Sequence, residues 1–407
     1  MNMKFIIYHL SFIICCVATL CSCTNYEPEA EVCNVTFNLI ADETLPDGIV
    51  ITAKSNTGNV YTTVTSSSTS TMLLPPALYE ISVNKVDKEA KKIYSGSMTD
   101  VAIGGDNVNV NVNVNVSTMP EAKLIIKELY VGGCQKDDGS GVFHMDKCII
   151  LYNNTSKVFE EENICIGMVE PYNAEASSHN FLVNGELQYA NEDWVPAING
   201  IWYFQGTLTV QPYSEVVVAV NGAIDHTQTY SQSINYANAN YYCMYDPVTT
   251  SSDGIAYYNT SYYPTPSSLI PASHYLKAVK YGQANAWPLS TTSPAVILFK
   301  ADSNFNFNSN VIYPDGKSGN LVYACLKVPR SWVMDAVEVY NNNKVEQCKK
   351  RLTPDLDNGY VLHTNQHGHA LIRNIDTDAT AAAGHNVYLD TNNSSNDFRE
   401  ADQCSLK

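Results

Sequence analysis

The sequence predicts an all-β protein made of two β-sandwich domains, the second enlarged by long loop insertions. Charged residues form only 16% of the chain, and Tyr is abundant where Trp is scarce, with 27 and 4 residues. Together with many Asn, Thr, Ser and Val residues, this composition favours half-buried strands and polar turns over helices. Short alternating apolar runs also recur at intervals typical of a β-sandwich. With 407 residues, the chain is long enough for two domains.

The N-terminus predicts export and a lipid anchor. Residues 1–4 are positively charged, residues 5–20 are apolar, and Ser22 places a small residue directly before Cys23. The apolar run is too short for a transmembrane helix, which needs about 20 residues. The Leu-Cys-Ser-Cys sequence that ends at Cys23 resembles the lipobox of bacterial lipoproteins. This resemblance implies that residues 1–22 are a signal peptide and that Cys23 carries the lipid.

The next segment, residues 23–31, contains the lipidated Cys23 and an acidic tether with three glutamates. The tether is similar to the acidic export signals on surface lipoproteins of the Bacteroidota. This likeness implies an outer-membrane lipoprotein that is exposed at the cell surface and contacts the membrane through its lipid. The alternative location is the inner leaflet of the outer membrane.

The net charge excludes some classes of partner, and the cysteine content bears on whether disulfides form. The formal net charge of the chain is −17 at pH 7. Nucleic acids and anionic lipid headgroups are not expected as partners, because both need a basic surface. Of 12 cysteines, three leave with the signal peptide and Cys23 takes the lipid. The remaining eight could form disulfides in an exported protein, but their spacing selects no pairing.

Residues 32–118 are predicted to form the first sandwich. Its clearest strand is 107–116, where Asn and Val alternate so that all valines point to one face. Residues 74–79, Leu-Pro-Pro-Ala-Leu-Tyr, resemble a segment of carboxypeptidase-regulatory-like and transthyretin-like sandwiches, and another seven-stranded sandwich fits equally well. The predicted strands are 32–39, 49–53, 60–64, 79–83, 93–96 and 107–116.

Residues 117–120 interrupt this pattern, and the second domain is predicted to span residues 122–407. Its first strand carries Glu128, and its second ends in Leu-Tyr-Asn. These runs and the later ones, in this order, resemble the lamin-tail domain, an immunoglobulin-like sandwich. Two features depart from that family: Ile150 stands where a Glu is usual, and the intervening loops are far longer. The predicted strands are 122–130, 147–154, 216–220, 295–299 and 335–340.

Taken together, the lipobox, the small first sandwich and the lamin-tail-like domain resemble an uncharacterised family of lipoproteins of this length in Bacteroides and its relatives. Immunoglobulin-like folds for both domains and a surface location are what the resemblance implies. It implies no activity.

Tyrosines are concentrated in residues 229–263, where 9 of the 27 lie. Each offers a large apolar ring and a hydroxyl at a low entropic cost, which suits recognition of glycans or peptides. We therefore expect ligand contacts at Tyr241, Tyr242, Tyr257 and Tyr258. The alternative is that these rings pack over the sandwich edge and that their hydroxyls bond to loop backbone.

Three histidines lie within seven residues, at His363, His367 and His369. On a strand, His367 and His369 would share a face, and imidazole is the commonest metal ligand. This pair is the candidate metal site, with a solvated loop as the alternative. The nearby run from Asp355 to Asp357 lacks the acidic positions of a calcium loop. No other cofactor is expected.

The sequence contains no catalytic motif, and the protein is expected not to be an enzyme. Phosphate-binding, nucleophile-elbow and zinc-protease spacings are missing. Asp193 beside Trp194, or Asp335 beside Glu338, could form a carboxylate pair for glycoside cleavage, but the sequence does not set their separation. The glutamates of residues 160–162 are interpreted as a solvated charge run. No catalytic residue is assigned.

The leading functional hypothesis is a cell-surface binding or accessory lipoprotein. It would capture a glycan, a peptide or a metal chelate as a nutrient, alongside an outer-membrane transporter. The second hypothesis is a structural or adhesive envelope protein, and the third is a hydrolase with an unrecognised site. A concave tyrosine-rich surface would favour capture, whereas a flat one would favour adhesion.

Overall fold

A computed structural model of the chain describes residues 32–407, except 88, 91, 106, 119–123, 176–179, 184–185, 248–261, 281–286, 288 and 304–309. The predicted signal peptide and Cys23 lie outside these residues. The described part consists mainly of strands with a few short helices, so the all-β prediction is confirmed. Within it, no helix has the length and apolar character needed to cross a membrane.

The N-terminal region forms two sheets around a core of its own. A three-stranded sheet has the order β4-β1-β7, and a five-stranded sheet has the order β3-β2-β5-β6-β8. Alternate residues of β1 are buried, among them Val35 and Phe37, and they pack against the buried face of the larger sheet. The strands are β1 (Cys33–Ile40), β2 (Ile49–Ser55), β3 (Val60–Thr65), β4 (Thr69–Leu74), β5 (Ala77–Asp87), β6 (Lys92–Ile103), β7 (Asn107–Asn113) and β8 (Asn115–Thr118).

The Asn-Val run is two strands rather than the single strand predicted. Its alternation is confirmed, because Val110 and Val112 are buried in the core and the asparagines of β7 are exposed. However, β7 pairs in parallel with β1, and β8 pairs with β6 of the other sheet. Val114 lies at the break, and its N–H donates to the carbonyl of Ile40 at 2.7 Å. The run therefore crosses from one sheet to the other and closes the edge of the core.

The rest of the chain contains twenty further strands, two short helices and several turns of 3₁₀-helix among the described residues. The first ten of these strands are β9 (Leu124–Tyr130), β10 (Cys134–Gln135), β11 (Val142–Phe143), β12 (Cys148–Asn153), β13 (Phe159–Glu162), β14 (Ile164–Val169), β15 (Leu182–Val183), β16 (Glu186–Leu187), β17 (Trp194–Tyr203) and β18 (Thr207–Val210).

The later strands are β19 (Glu215–Ala219), β20 (Tyr242–Met244), β21 (Tyr275–Lys280), β22 (Ala295–Lys300), β23 (Val311–Ile312), β24 (Cys325–Pro329), β25 (Val333–Asn341), β26 (Val361–His363), β27 (Ala370–Arg373) and β28 (Phe398–Ala401). The helices are α1 (Thr377–Ala383) and α2 (Ser394–Asp397), and the 3₁₀ turns are His226–Gln228, Ala272–His274, Leu321–Tyr323, Arg330–Trp332 and Asn342–Gln347.

Most of these strands belong to one strongly curled sheet. Its order is β26-β25-β22-β14-β17-β21-β20-β19-β12-β9-β27-β28, and β24 joins it through β17 and carries β23. The two edge strands, β26 and β28, lie beside each other, so the sheet almost closes on itself. Apolar side chains from all around the curl, including Trp202 and Leu298, pack together in its interior.

Two further apolar layers cover the outside of the curl. One lies over β14, β17, β22 and β24 and includes Phe181, Tyr189 and Trp194. The other lies over β9, β12, β19 and β20 and includes Ile234 and Tyr236. Strands in the middle of the sheet are thus buried on both faces.

Four strands of the curled sheet were not predicted from the sequence, and for β14 double burial supplies a reason. β14, β17, β21 and β24 all lie within segments that were predicted to be long loop insertions. All six residues of β14 are buried, so the strand lacks the apolar–polar alternation that identifies a half-exposed strand. The insertions of the predicted second domain therefore contain much of its sheet.

Candidate functional site

Tyr242 is the first residue of β20 and Tyr241 directly precedes it, and their rings pack against two different layers of the structure. Tyr242 packs against the interior core, and Tyr241 packs against the outer layer over β12 and β19. Successive residues of a strand point to opposite faces, so these two rings cannot share one contact surface. Burial raises the pKa of both phenols. Tyr257 and Tyr258, the other predicted contacts, lie outside the described residues.

The neighbours of these tyrosines hold the rings in place. The ring of Tyr242 stacks on His274 with centroids 4.1 Å apart, and it meets the edge of Phe204 at 5.1 Å. His274 Nδ1 lies 3.1 Å from the carbonyl oxygen of Tyr241, which can only accept a hydrogen bond. Both tyrosines are half-buried, so part of each ring is covered by the fold of the chain.

The histidine pair does not lie on a strand. β26 ends at His363 and β27 begins at Ala370, so His367 and His369 lie in the turn between them. Positive φ angles at Asn365 and Gly368 produce this turn. The expectation that the two histidines share a strand face is therefore wrong.

Glu400 on β28 brings a different pair of histidines together. Its Oε1 lies 3.2 Å from His369 Nδ1 and 3.8 Å from His363 Nε2, whereas His367 is exposed. Thr364 also donates to this carboxylate, from its hydroxyl at 2.7 Å. Burial lowers the pKa of His363. Among the residues that the structure describes, no group of three or more His, Cys, Asp or Glu side chains could hold a metal ion.

Of the carboxylates considered for glycoside cleavage, Asp335 and Glu338 are held in buried ion pairs, whereas Asp193 is exposed. Glu338 accepts from Arg351 Nε at 2.8 Å and from the backbone amides of Arg351 and Leu352. Asp335 pairs with Arg373 at 2.5 Å. Since Glu338 and Arg351 have side chains that are 0% exposed, this pair offers no surface to a substrate.

A concave groove lies at one end of the curled sheet, beside the two-stranded sheet of β13 and β18. Its volume is about 1020 Å3. We call it the acidic groove. Its lining residues are Leu124, Phe159, Glu160, Glu161, Glu162, Asn163, Thr207, Lys300, Ala301, Asp302, Ser303, Ser331, Trp332, Val333 and Met334.

The pairing of β13 with β18 positions several of the polar residues that line this groove. Glu162 lies opposite Thr207, whose hydroxyl donates to its carboxylate at 3.3 Å. Glu161 pairs with Lys300, at the end of β22, at 2.5 Å. Glu160 and Asp302 add two further exposed carboxylates, so that four acidic groups face one ammonium group.

An aromatic residue, Trp332, also lines the groove. Trp332 is the last residue of a 3₁₀ turn, directly before β25, and it is half-buried where the other three tryptophans are buried. The groove therefore combines hydrogen-bond acceptors, hydroxyls and one partly accessible indole. The sequence analysis missed this site: the glutamate run was interpreted as solvated, and nothing in the local sequence connects it with Trp332, 170 or more residues away.

Comparisons with known proteins agree with the fold of the chain. Residues 211–405 match the model of a family described as a protein of unknown function, DUF4876. The crystal structure of a DUF4876 family protein from Bacteroides thetaiotaomicron VPI-5482 is similar to this chain, with a TM-score of 0.56 and 20% identity over 91% of this chain and 96% of that chain.

A second crystal structure, of a proposed adhesin from Bacteroides ovatus ATCC 8483, matches with a TM-score of 0.21 and 10% identity over 82% of this chain and 91% of that chain. A score this low does not establish a shared fold. No curated protein sequence matches the chain. The lamin-tail and carboxypeptidase-regulatory resemblances stay predictions. The chain is thus similar to the DUF4876 family over residues 211–405, and its fold is similar to that of a Bacteroides protein of that family.

Proposed function

We propose that the mature chain is a surface lipoprotein of the outer membrane that binds a glycan in the acidic groove. The observation that carries this proposal is a concave groove whose lining combines four carboxylates with Trp332. Binding there would capture the glycan as a nutrient, alongside an outer-membrane transporter. The lipid on Cys23 would hold the protein at the membrane.

The chemistry of the groove favours a neutral ligand rich in hydroxyl groups. Carboxylates accept hydrogen bonds from sugar hydroxyls, and the hydroxyls of Thr207 and Ser331 can either donate or accept. The apolar face of a sugar ring can lie against an indole such as Trp332, which offers a large, rigid contact area. Four carboxylates against one ammonium disfavour phosphorylated or sulfated ligands. A cationic or neutral peptide is the competing ligand class.

The binding role is non-catalytic in this proposal, and it needs no metal ion. We also retain the proposal that residues 32–118 and 122–407 are two domains related to immunoglobulin-like sandwiches. Support comes from the separate core of the first region and the separate interior of the second.

Glycan and peptide arrays on the soluble chain that starts at Thr24 test the ligand class. We expect a specific glycan to bind, and Trp332→Ala to weaken its affinity about fivefold, because ring stacking contributes roughly 1 kcal/mol. Glu160→Gln should weaken it less. Tyr262→Ala and Glu186→Gln, which change an exposed aromatic and an exposed carboxylate outside the groove, are the matched controls.

Two outcomes would reject this assignment. A folded chain that binds no glycan would remove the proposed ligand class. A glycan whose affinity is unchanged by Trp332→Ala, but lost when Tyr241 and Tyr242 are changed to Ala, would move the site to the tyrosine-rich segment. Loss of membrane association in Cys23→Ser, measured by cell fractionation and protease treatment of intact cells, tests the anchor separately.

An exposed apolar edge favours the adhesive function as a second candidate. β3 is the edge strand of the five-stranded sheet, and its Val60 and Val64 are 58% and 66% exposed. Val50 on β2 lies directly opposite Val64 and is exposed as well. Unpaired edge strands with apolar side chains are templates for pairing with another chain. If Val60→Lys with Val64→Lys abolished attachment of cells to a protein-coated surface while glycan binding persisted, adhesion through β3 would be favoured.

A further inference from the structure

The last six residues of the chain, 402–407, dock onto the outside of the curled sheet. The backbone N–H of Ser405 donates to Oε1 of Glu128 on β9 at 2.9 Å, and the Ser405 hydroxyl donates to the other carboxylate oxygen. Lys407 Nζ donates to the hydroxyl of Tyr130, also on β9, at 3.3 Å. Glu128 and Tyr130 are fully buried, so the tail covers them. We call residues 402–407 the C-terminal tail.

This docking places two cysteines together. Cys404 of the tail and Cys148 at the start of β12 have Sγ atoms 4.0 Å apart, although 256 residues separate them in the sequence. Both are 0% exposed and belong to the same apolar layer. Cys148 is held by the ladder of β12 with β9 and β19, and Cys404 by its neighbour Ser405. The two thiols therefore face each other from well-anchored positions.

We infer that Cys148 and Cys404 are joined by a disulfide in the mature protein. A disulfide has an S–S distance near 2.05 Å, so side-chain rotation of the two cysteines must shorten the present separation by about 2 Å. The reaction forms one S–S bond from two thiols and releases two protons and two electrons. The electrons reduce the disulfide of an oxidant, either a dithiol oxidoreductase or oxidised glutathione, to two thiols by thiol–disulfide exchange.

The order of events follows from burial. Neither sulfur is accessible once the tail is docked, so exchange with the oxidant takes place before docking or during a local opening of the tail. After docking, the same burial protects the bond from reduction. The bond closes a loop from Cys148, at the start of β12, to Cys404 near the end of the chain. Closing a long loop lowers the conformational entropy of the unfolded state strongly. The role of the bond is to keep the tail on β9 and β12.

Peptide mapping of the full mature chain under non-reducing conditions tests the inference directly. The chain is oxidised with oxidised glutathione, its free thiols are blocked after denaturation, and it is digested and analysed by mass spectrometry. We expect one linked peptide pair that contains Cys148 and Cys404, and six titratable thiols in place of the eight found after reduction. The same map on protein isolated from the cell envelope tests whether the bond forms in the natural compartment.

Matched variants distinguish this pair from the other cysteines. Cys404→Ser should remove the linked peptide, and reductant should no longer lower the midpoint of its thermal unfolding. Cys165→Ser changes a cysteine that is equally buried in the other outer layer, so the linked peptide should persist. Eight titratable thiols after oxidation, or Cys148 linked to a different cysteine, would overturn the inference. Neither result bears on glycan binding in the acidic groove, so the two proposals fail independently.

Discussion

At the scale of single residues, ionisable side chains in the curled sheet are buried as paired sets. Arg373 on β27 lies within 3.6 Å of carboxylate oxygens of Asp335, Asp390 and Asp397, and its Nε donates to the carbonyl of Ile126. Burial raises the pKa of Asp390 to about 7 and that of Asp397 to about 6, and Arg373 opposes both shifts. Asp335 belongs to β25, next to the edge strand β26, and Arg373 belongs to β27, next to the edge strand β28. Their ion pair therefore links the two ends of the sheet at the point where it almost closes.

Replacement of Arg373 should therefore be severe. In Arg373→Met, three buried aspartates lose their cation, and we expect the free energy of unfolding to fall by about 3–5 kcal/mol at pH 7. Lys92→Met is the control, because it breaks the exposed Lys92–Glu43 pair and should cost far less than Arg373→Met. Urea unfolding followed by circular dichroism measures both. Equal costs for the two variants would contradict a joining role for Arg373.

Because of Glu170, the free energy of unfolding should fall as the pH rises. A salt-bridged carboxylate has the opposite effect. Glu170 is 4% exposed, and burial raises its pKa from 4.5 to about 7, although Asn180 donates to its Oε1 at 2.8 Å. The folded state binds this proton more tightly than the unfolded state. The stabilisation is complete below pH 4.5 and is lost as the pH rises towards 7.

Glu170→Gln removes this dependence. Relative to the unchanged protein, the variant should become more stable as the pH rises from 4.5 to 7, by about 1–3 kcal/mol at the plateau. Unfolding free energies of both proteins at pH 5 and pH 8 measure the difference. If the difference is the same at the two pH values, the carboxyl does not titrate in this range.

At the scale of elements, a strand with one exposed face shows apolar–polar alternation in its sequence, whereas a strand buried on both faces lacks it. β1 and β7 have one buried and one exposed face, and their alternation predicted them directly. β14 sends Ile164 and Ile166 to the interior and Cys165 to the outer layer, so no polar face marks it. The turn between β26 and β27 was misread for a different reason: the spacing of its histidines fits a strand, and only backbone φ angles reveal the turn.

Substitution to Thr should lower the free energy of unfolding more on the buried face of β7 than on its exposed face. Val112→Thr buries a hydroxyl in the core of the N-terminal region, and we expect a loss of about 1–3 kcal/mol in unfolding free energy. Asn109→Thr places the same side chain on the exposed face and should change it by less than about 0.5 kcal/mol. Chemical denaturation of the two variants compares the faces. Similar losses would contradict a β7 strand with one face in the core and the other exposed.

At the scale of the whole molecule, two cores and one sheet closure organise the chain. The apolar core of residues 32–118 contains only residues of that region. The N-terminal region contacts the curled-sheet region through Ser97, among other residues. The Ser97 hydroxyl donates a hydrogen bond to the carbonyl of Asn358 at 3.4 Å. In the remainder, strands distant in sequence meet at the closure, where Thr364 beside β26 donates to Glu400 on β28.

The N-terminal region should therefore fold by itself. A fragment of residues 24–118 is expected to unfold in one cooperative transition, because its core is complete without the rest of the chain. Thermal denaturation followed by near- and far-ultraviolet circular dichroism tests this. A fragment that lacks a cooperative transition would show that the curled sheet supports the first core.

The sequence by itself determined the strand class, the alternation of the Asn-Val run and the acidic charge, because each depends on composition or on neighbouring residues. The N-terminal processing stays a prediction from the same kind of local pattern. The tertiary structure alone decided the closure of the sheet by Arg373, the acidic groove between Glu160 and Trp332, and the meeting of Cys148 with Cys404. These features join residues that are far apart in the chain. Their proximity depends on the order of the strands and on the curl of the sheet. Local sequence carries little signal for either.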